Sequence, residues 1–95
     1  MIYQNPNYKK VKGSRTLLVR CGYCKTDIAL YQKIGKGSLL RMHIPRIIKS
    51  SVDLSQKPQE LICPDCQKLL AMKITFRKNK EAYKMIRSTY NTKEL

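Results

Sequence analysis

The sequence predicts a small β-rich domain of the α+β class, with antiparallel hairpins, a C-terminal helix and a core held by clustered cysteines. Three observations carry this. The only four cysteines in 95 residues form two C-x-x-C units, Cys21/Cys24 and Cys63/Cys66. Apolar residues alternate over several short runs, which is the strand period. Beyond Asn79, the residues Ala82, Tyr83, Ile86 and Tyr90 recur at helical spacing.

Two residues between paired cysteines let the chain turn sharply, so both sulfurs face one point. Gly22 is expected to supply positive φ, and Pro64 to pre-set the second turn. Two such units can close a tetrahedral four-thiolate site around one structural zinc ion. A chain this short buries a modest core, so the metal is expected to supply much of the folding free energy. Other uses of the cysteines were weighed. Disulfides need an oxidising compartment, and the start, Met1 to Pro6, has no apolar signal segment. A redox pair needs only one C-x-x-C, usually in a βαβ setting. An iron site would suit Cys63-Pro64-x-Cys66 but lacks an acidic, aromatic-rich surround.

Cys21-x-x-Cys24, a 38-residue insert and then Cys63-Pro64-x-Cys66 resemble the zinc-ribbon superfamily, over roughly Arg15 to Phe76. The resemblance implies metal on Cys21, Cys24, Cys63 and Cys66 and a fold of β-hairpins. It does not select a function, because ribbons serve transcription, ribosomal proteins, replication and partner docking.

Residues 1–13 read as a flexible basic arm, with Tyr3 and Tyr8 among Lys9, Lys10 and Lys12. Basic and aromatic residues together can pair with phosphates and stack on unpaired bases. A fraying terminus has the same composition. Residues 14–78 read as the metal domain. Arg15 to Arg20 is a strand delivering Cys21. Asp27 to Ile34 is a second, with Ile28, Leu30 and Ile34 inward and Tyr31 and Lys33 outward. Gly35-Lys36-Gly37 is a turn. Ser38 to Ile44 returns, with Leu40, Met42 and Ile44 inward and Leu39, Arg41 and His43 outward, and Pro45 ends it. Arg46 to Lys49 fits a short helix or strand, and Ser50 to Glu60 a loop. Gln67 to Lys78 alternates most clearly, with Leu70, Met72, Ile74 and Phe76 inward and Lys73 and Arg77 outward. Residues 79–95 are expected to form an amphipathic helix capped by Asn79, with a last strand as the competing reading.

Charge is the second signal. Twenty Lys and Arg against six Asp and Glu give +14. Four zinc-bound thiolates would leave about +12. Such a balance is the footprint of a nucleic-acid partner. The expected contacts are Arg20, Lys33, Arg41, Lys73, Arg77, Lys80, Lys84 and Arg87. Nothing identifies base-reading side chains, so binding to RNA or DNA should be dominated by the phosphate backbone, with tyrosine stacking on single strands. Charge reversal at Arg41 and Lys73 is expected to flatten the salt dependence. The expected role is a non-enzymatic, cytoplasmic protein working in a transcription or translation assembly. The alternative is a docking adaptor or small regulator that presents a hairpin edge or the Tyr83/Ile86/Tyr90 stripe to a protein complex. Catalysis is not expected, because a four-cysteine zinc is closed. The deaminase pattern also fails, since His43 is followed by Ile44-Pro45. No run approaches the roughly 20 apolar residues of a membrane helix, and no small-molecule substrate or membrane partner is expected.

Overall fold

A computed structural model describes residues 1–95. The chain forms nine strands and one 3-10 turn. The strands are Tyr3–Gln4 (β1), Arg15–Cys21 (β2), Asp27–Lys33 (β3), Arg41–His43 (β4), Ile47–Ser50 (β5), Glu60–Ile62 (β6), Leu69–Arg77 (β7), Lys80–Met85 (β8) and Tyr90–Glu94 (β9). The turn is Ile44–Arg46. All pairings are antiparallel. One sheet has the order β1-β5-β3-β2-β9 and the other β4-β8-β7-β6. The core lies between them. Leu17, Val19, Cys21, Tyr31 and Ile47 come from the first sheet, and Met42, Leu61, Ala71, Tyr83 and Met85 from the second.

The α+β expectation is therefore corrected: the chain is all-β and has no C-terminal helix. Residues 80–85 form the strand between β4 and β7, and 90–94 pair with β2. Asn79 is not a helix cap. It takes φ 62° in the tight β7–β8 turn, a left-handed position that asparagine tolerates well. Tyr83 and Met85 alternate inward while Lys80 and Lys84 face out, so the same residues also carry the strand period. Two flanking strands supply pairing that an isolated helix of this length lacks in water.

The facing of β7 also departs from expectation. Leu61 pairs Ala71 but Ile62 pairs Leu69, so Leu70 is an extra residue on β7. Leu70 and Ala71 are both fully buried. This bulge slips the alternation by one residue, which exchanges the faces beyond it. Met72 and Ile74 end half-buried on the outer face, and Lys73 lies on the inner side opposite Tyr83. A second irregularity between Thr75 and Arg77 leaves Phe76 itself unpaired on β7, half-buried with its ring against His43. Tyr31 is likewise buried rather than outward, and Leu39 is buried while Leu40 is exposed.

Residues 1–13 are fastened at Asn5. Tyr3–Gln4 pair with Ser50 and Lys49. The buried Asn5 amide donates to the Ile44 and Ile47 carbonyls at 2.8 and 2.9 Å, and its oxygen accepts from the Asn7 N–H. Asn5 thereby satisfies the carbonyls on either side of the 3-10 turn. Asn5→Ala leaves those groups short of partners and should cost about 1–3 kcal/mol in a urea melt.

Candidate metal centre and cationic grooves

Each cysteine pair sits where one hairpin turns: β2–β3 in the first sheet and β6–β7 in the second. The two turns repeat one another bond for bond. The Cys21 N–H donates to the Thr26 carbonyl at 2.9 Å, and the Cys63 N–H to the Lys68 carbonyl at 2.9 Å. The Lys25 N–H returns to the Cys21 carbonyl at 3.1 Å, and the Gln67 N–H to the Cys63 carbonyl at 3.0 Å. Lys25 and Gln67 both take φ 66°. Ile28 and Leu70 are the matching bulge residues, both fully buried.

Gly22 does not take positive φ. Its role is close approach. Its N–H donates to the Thr89 carbonyl at 2.9 Å, and a Cβ there would lie 3.0 Å from the Thr89 backbone. The chain entering β9 therefore packs directly on the first turn.

The four sulfurs converge from the two sheets. All lie within 4.8 Å of one another, with Cys21–Cys66 and Cys24–Cys63 each at 3.5 Å. None is in a disulfide. A tetrahedron with bonds of about 2.3 Å places its sulfurs about 3.8 Å apart, so the donor set fits a tetrahedral metal ion. Cys21 and Cys63 are buried, and Cys24 and Cys66 are half-buried. The Tyr23 N–H points at the Cys21 sulfur at 3.4 Å. The Thr26 hydroxyl lies 3.1 Å from the Cys24 sulfur, and this contact holds that thiol down to about 6. Burial instead pushes the Cys66 thiol up to about 12. Sulfurs this close cannot all carry charge unless a cation balances them, and binding one would release protons. Thr26 also reaches Asp65 across the site, and Lys68 lies over the Tyr23 ring at 5.3 Å.

The predicted contact residues separate into two sets. Arg41, Lys84 and Arg87 line one open groove of about 830 Å³. Lys33 and Arg41 meet Arg46 and His43 in a second of about 350 Å³. His43 and Arg46 continue into a third of about 510 Å³ with Lys80, Lys9 and Lys57. The three adjoin along the edge strand β4. The acid among their walls is Glu81, held by Lys57 at 3.2 Å and Lys73 at 3.3 Å; these contacts keep its carboxyl below the usual range. Arg20, Lys73 and Arg77 stand apart from these walls. Arg20 lies 3.1 Å from Asp27 beside the first turn, Lys73 is committed to Glu81, and Arg77 is exposed opposite Lys80.

Sequence reading named Lys9 within a basic arm able to pair with phosphates, but missed Arg46, Lys57 and Phe76 as groove residues. Arg46 follows Pro45, and a charged residue just past a strand-ending proline was a usable sign of an exposed corner. Lys57 lies in a loop distant in sequence and carried no such signal. The His43 ring is edge-on to Phe76, with centroids 5.0 Å apart, and the Arg41 guanidinium lies 5.8 Å from the Phe76 ring centre.

No protein-family model, curated protein or solved structure matches the chain. No helix is long and apolar enough to cross a membrane.

Metal analysis should find one ion per chain. Stripping it with a chelator, or Cys63→Ser, should lower the melting temperature by more than about 10 °C, because the ion joins two sheets. A metal-free chain with reduced thiols and unchanged melting would contradict the centre. A second measurement concerns His43. Burial first, then the nearby charges of Arg46, Arg41 and Lys80, push its pKa down. The folded state then binds fewer protons than the unfolded chain, so this group costs stability as pH falls through about 6.5. Its NMR titration should centre below that value, and Arg46→Gln should move the midpoint up.

Proposed function

We propose that the protein is a non-enzymatic, zinc-stabilised nucleic-acid-binding module of zinc-ribbon type. Zinc is the metal favoured by the donor set, since four clustered thiolates in a closed tetrahedron suit it. The ribbon reading is supported by the matching turns on two hairpins. The metal holds the two sheets, and binding belongs to the surface they present.

One observation carries the nucleic-acid reading. Arg41, Lys84, Arg87, Lys33, Arg46 and Lys80 come from separate stretches of chain and converge on the adjoining grooves along β4. The acid there, Glu81, is outnumbered by its own two lysine partners. Like charges gathered this way repel one another, and a polyanion relieves the repulsion while releasing its counterions. The docking alternative offers a hairpin edge or a surface tyrosine stripe, and the burial of the tyrosines weighs against the stripe. Tyr83 is fully buried, with its hydroxyl donating to the Pro58 carbonyl at 2.8 Å, and the Tyr90 hydroxyl donates inward to the Leu39 carbonyl.

Affinity for a mixed-sequence oligonucleotide should fall steeply with salt. The double variant Arg41→Gln/Lys84→Gln should reduce the slope of log K against log salt by about 1.4–1.8, at 0.7–0.9 per lost phosphate contact. Arg20→Gln should leave the slope unchanged. Binding that ignores salt, or equal slopes in all three proteins, would refute this reading.

A further inference from the structure

The bulge at Leu70 leaves an unusual face. Row by row, the four-stranded sheet pairs Arg41 with Lys84 and Met72, then His43 with Ala82 and Ile74. These residues, with Phe76, make up its outer surface. Met72, Ile74 and Phe76 are half-buried, so no part of the chain covers them completely. Leaving apolar area in water costs about 25 cal/mol per Å², and the core does not require these three side chains outside.

Cations border this apolar row on one side only. Arg41 stands on β4 beside the His43 ring, and Lys84 on β8, while across β7 the facing residue on β6 is Glu60, paired with Met72. Ala82 is small enough to let the Phe76 ring reach His43 over β8. Phe76 and His43 also wall the groove that holds Arg46, Lys80 and Lys9. Asn5 fastens the segment carrying Asn7 and Lys9 against the same groove.

A duplex uses only part of such a face. It offers phosphates, but its base faces are stacked on one another. A single strand offers phosphates on one side and free π-faces on the other, and any base can stack on an aromatic ring. We propose that the outer face of the four-stranded sheet binds single-stranded nucleic acid. Phosphates follow Arg41, Lys84, Arg46 and Lys80, and a base stacks on Phe76 beside His43. The backbone then runs along β4 and β8, and the bases turn toward β7, away from the cations and short of Glu60. This inference rests on the nucleic-acid reading above and deepens it. Phe76, not a tyrosine, is the stacking ring. Tyr31 and Tyr83 are buried, and the exposed Tyr23 lies at the cysteine turns under Lys68.

The test uses the full chain loaded with metal. Fluorescence anisotropy at fixed ionic strength compares 12-residue oligo-U and oligo-dT, abasic strands of equal charge, and a duplex of equal length. Base-bearing single strands should bind at least about tenfold more tightly than the abasic strands or the duplex. Phe76→Leu keeps an apolar side chain but removes the ring. It should weaken base-bearing strands about five- to thirtyfold and leave abasic strands unchanged, with Phe76→Tyr restoring affinity. A thermal melt of each variant checks that the fold is intact. RNA and DNA arms should show the same dependence on bases. Equal binding of abasic strands, a preference for duplex, or no effect of Phe76→Leu would overturn the inference while leaving salt-dependent polyanion binding in place. Failure to bind any of these polyanions would overturn the nucleic-acid reading as well.

Discussion

The four-sulfur cluster is the constraint on which the rest of this structure depends. Each sheet contributes one hairpin turn to it, and the sheets otherwise meet through a small core of side chains. Four thiols within 4.8 Å are poorly compatible with ionisation, since neighbouring thiolates repel. Cys24 and Cys66 behave oppositely: the Thr26 hydroxyl contact favours charge on the first, and burial opposes it on the second. A dication bound there would reverse the balance and clamp the two turns together. The equivalence of the two turns follows from this. Both must aim two sulfurs at one point, so both use the same paired hydrogen bonds, the same left-handed residue and the same bulge.

The bulges link the clamp to the surface. A residue inserted next to the turn shifts the strand facing by one, and on β7 that shift turns Met72 and Ile74 outward, while a second irregularity at the far end of the strand carries Phe76. It also brings Ala71 inward, where a small side chain sits in the same row as Leu61 and Met85. The geometry that positions Cys63 and Cys66 is thus continuous with that presenting an apolar row beside β4. Tyr31 joins the sheets at the same place from within, its hydroxyl accepting the His43 N–H at 2.9 Å. The grooves therefore stand on an edge strand that is fixed from behind.

How much could be read in advance differed from residue to residue. The four cysteines that could hold a metal were plain, because thiolate chemistry and a two-residue spacing are local properties. The spans of β2 and β3 were close to expectation, since a short apolar run leads into the cysteine turn and an alternating one leads out of it. Residues 80–94 were misread because Ala82, Tyr83, Ile86 and Tyr90 satisfy helical spacing while Tyr83 and Met85 satisfy strand spacing. Asn79 suits either a helix start or a left-handed turn. Pairing with β4, β7 and β2 settles the matter, and those partners lie far away in sequence.

By itself the sequence determined the pairing of the four cysteines into two turns, the excess of cations and the approximate places of the strands that carry the cysteines. Each of these depends on residue type and on spacing over a few positions. Only the tertiary structure decided which face of β7 is core, that the C-terminal segment is strand, and which cations share a groove. Lys9, Arg46, Lys57 and Lys80 meet around His43 and Phe76 because β4, β8 and β7 lie side by side and the N-terminal segment, the 3-10 turn and the loop before β6 close on them. Arg20 and Lys73, equally basic on paper, lie instead against Asp27 and Glu81. Charge sums along a chain are indifferent to such neighbours, whereas electrostatic attraction for a ligand depends on distance and on what already balances each cation.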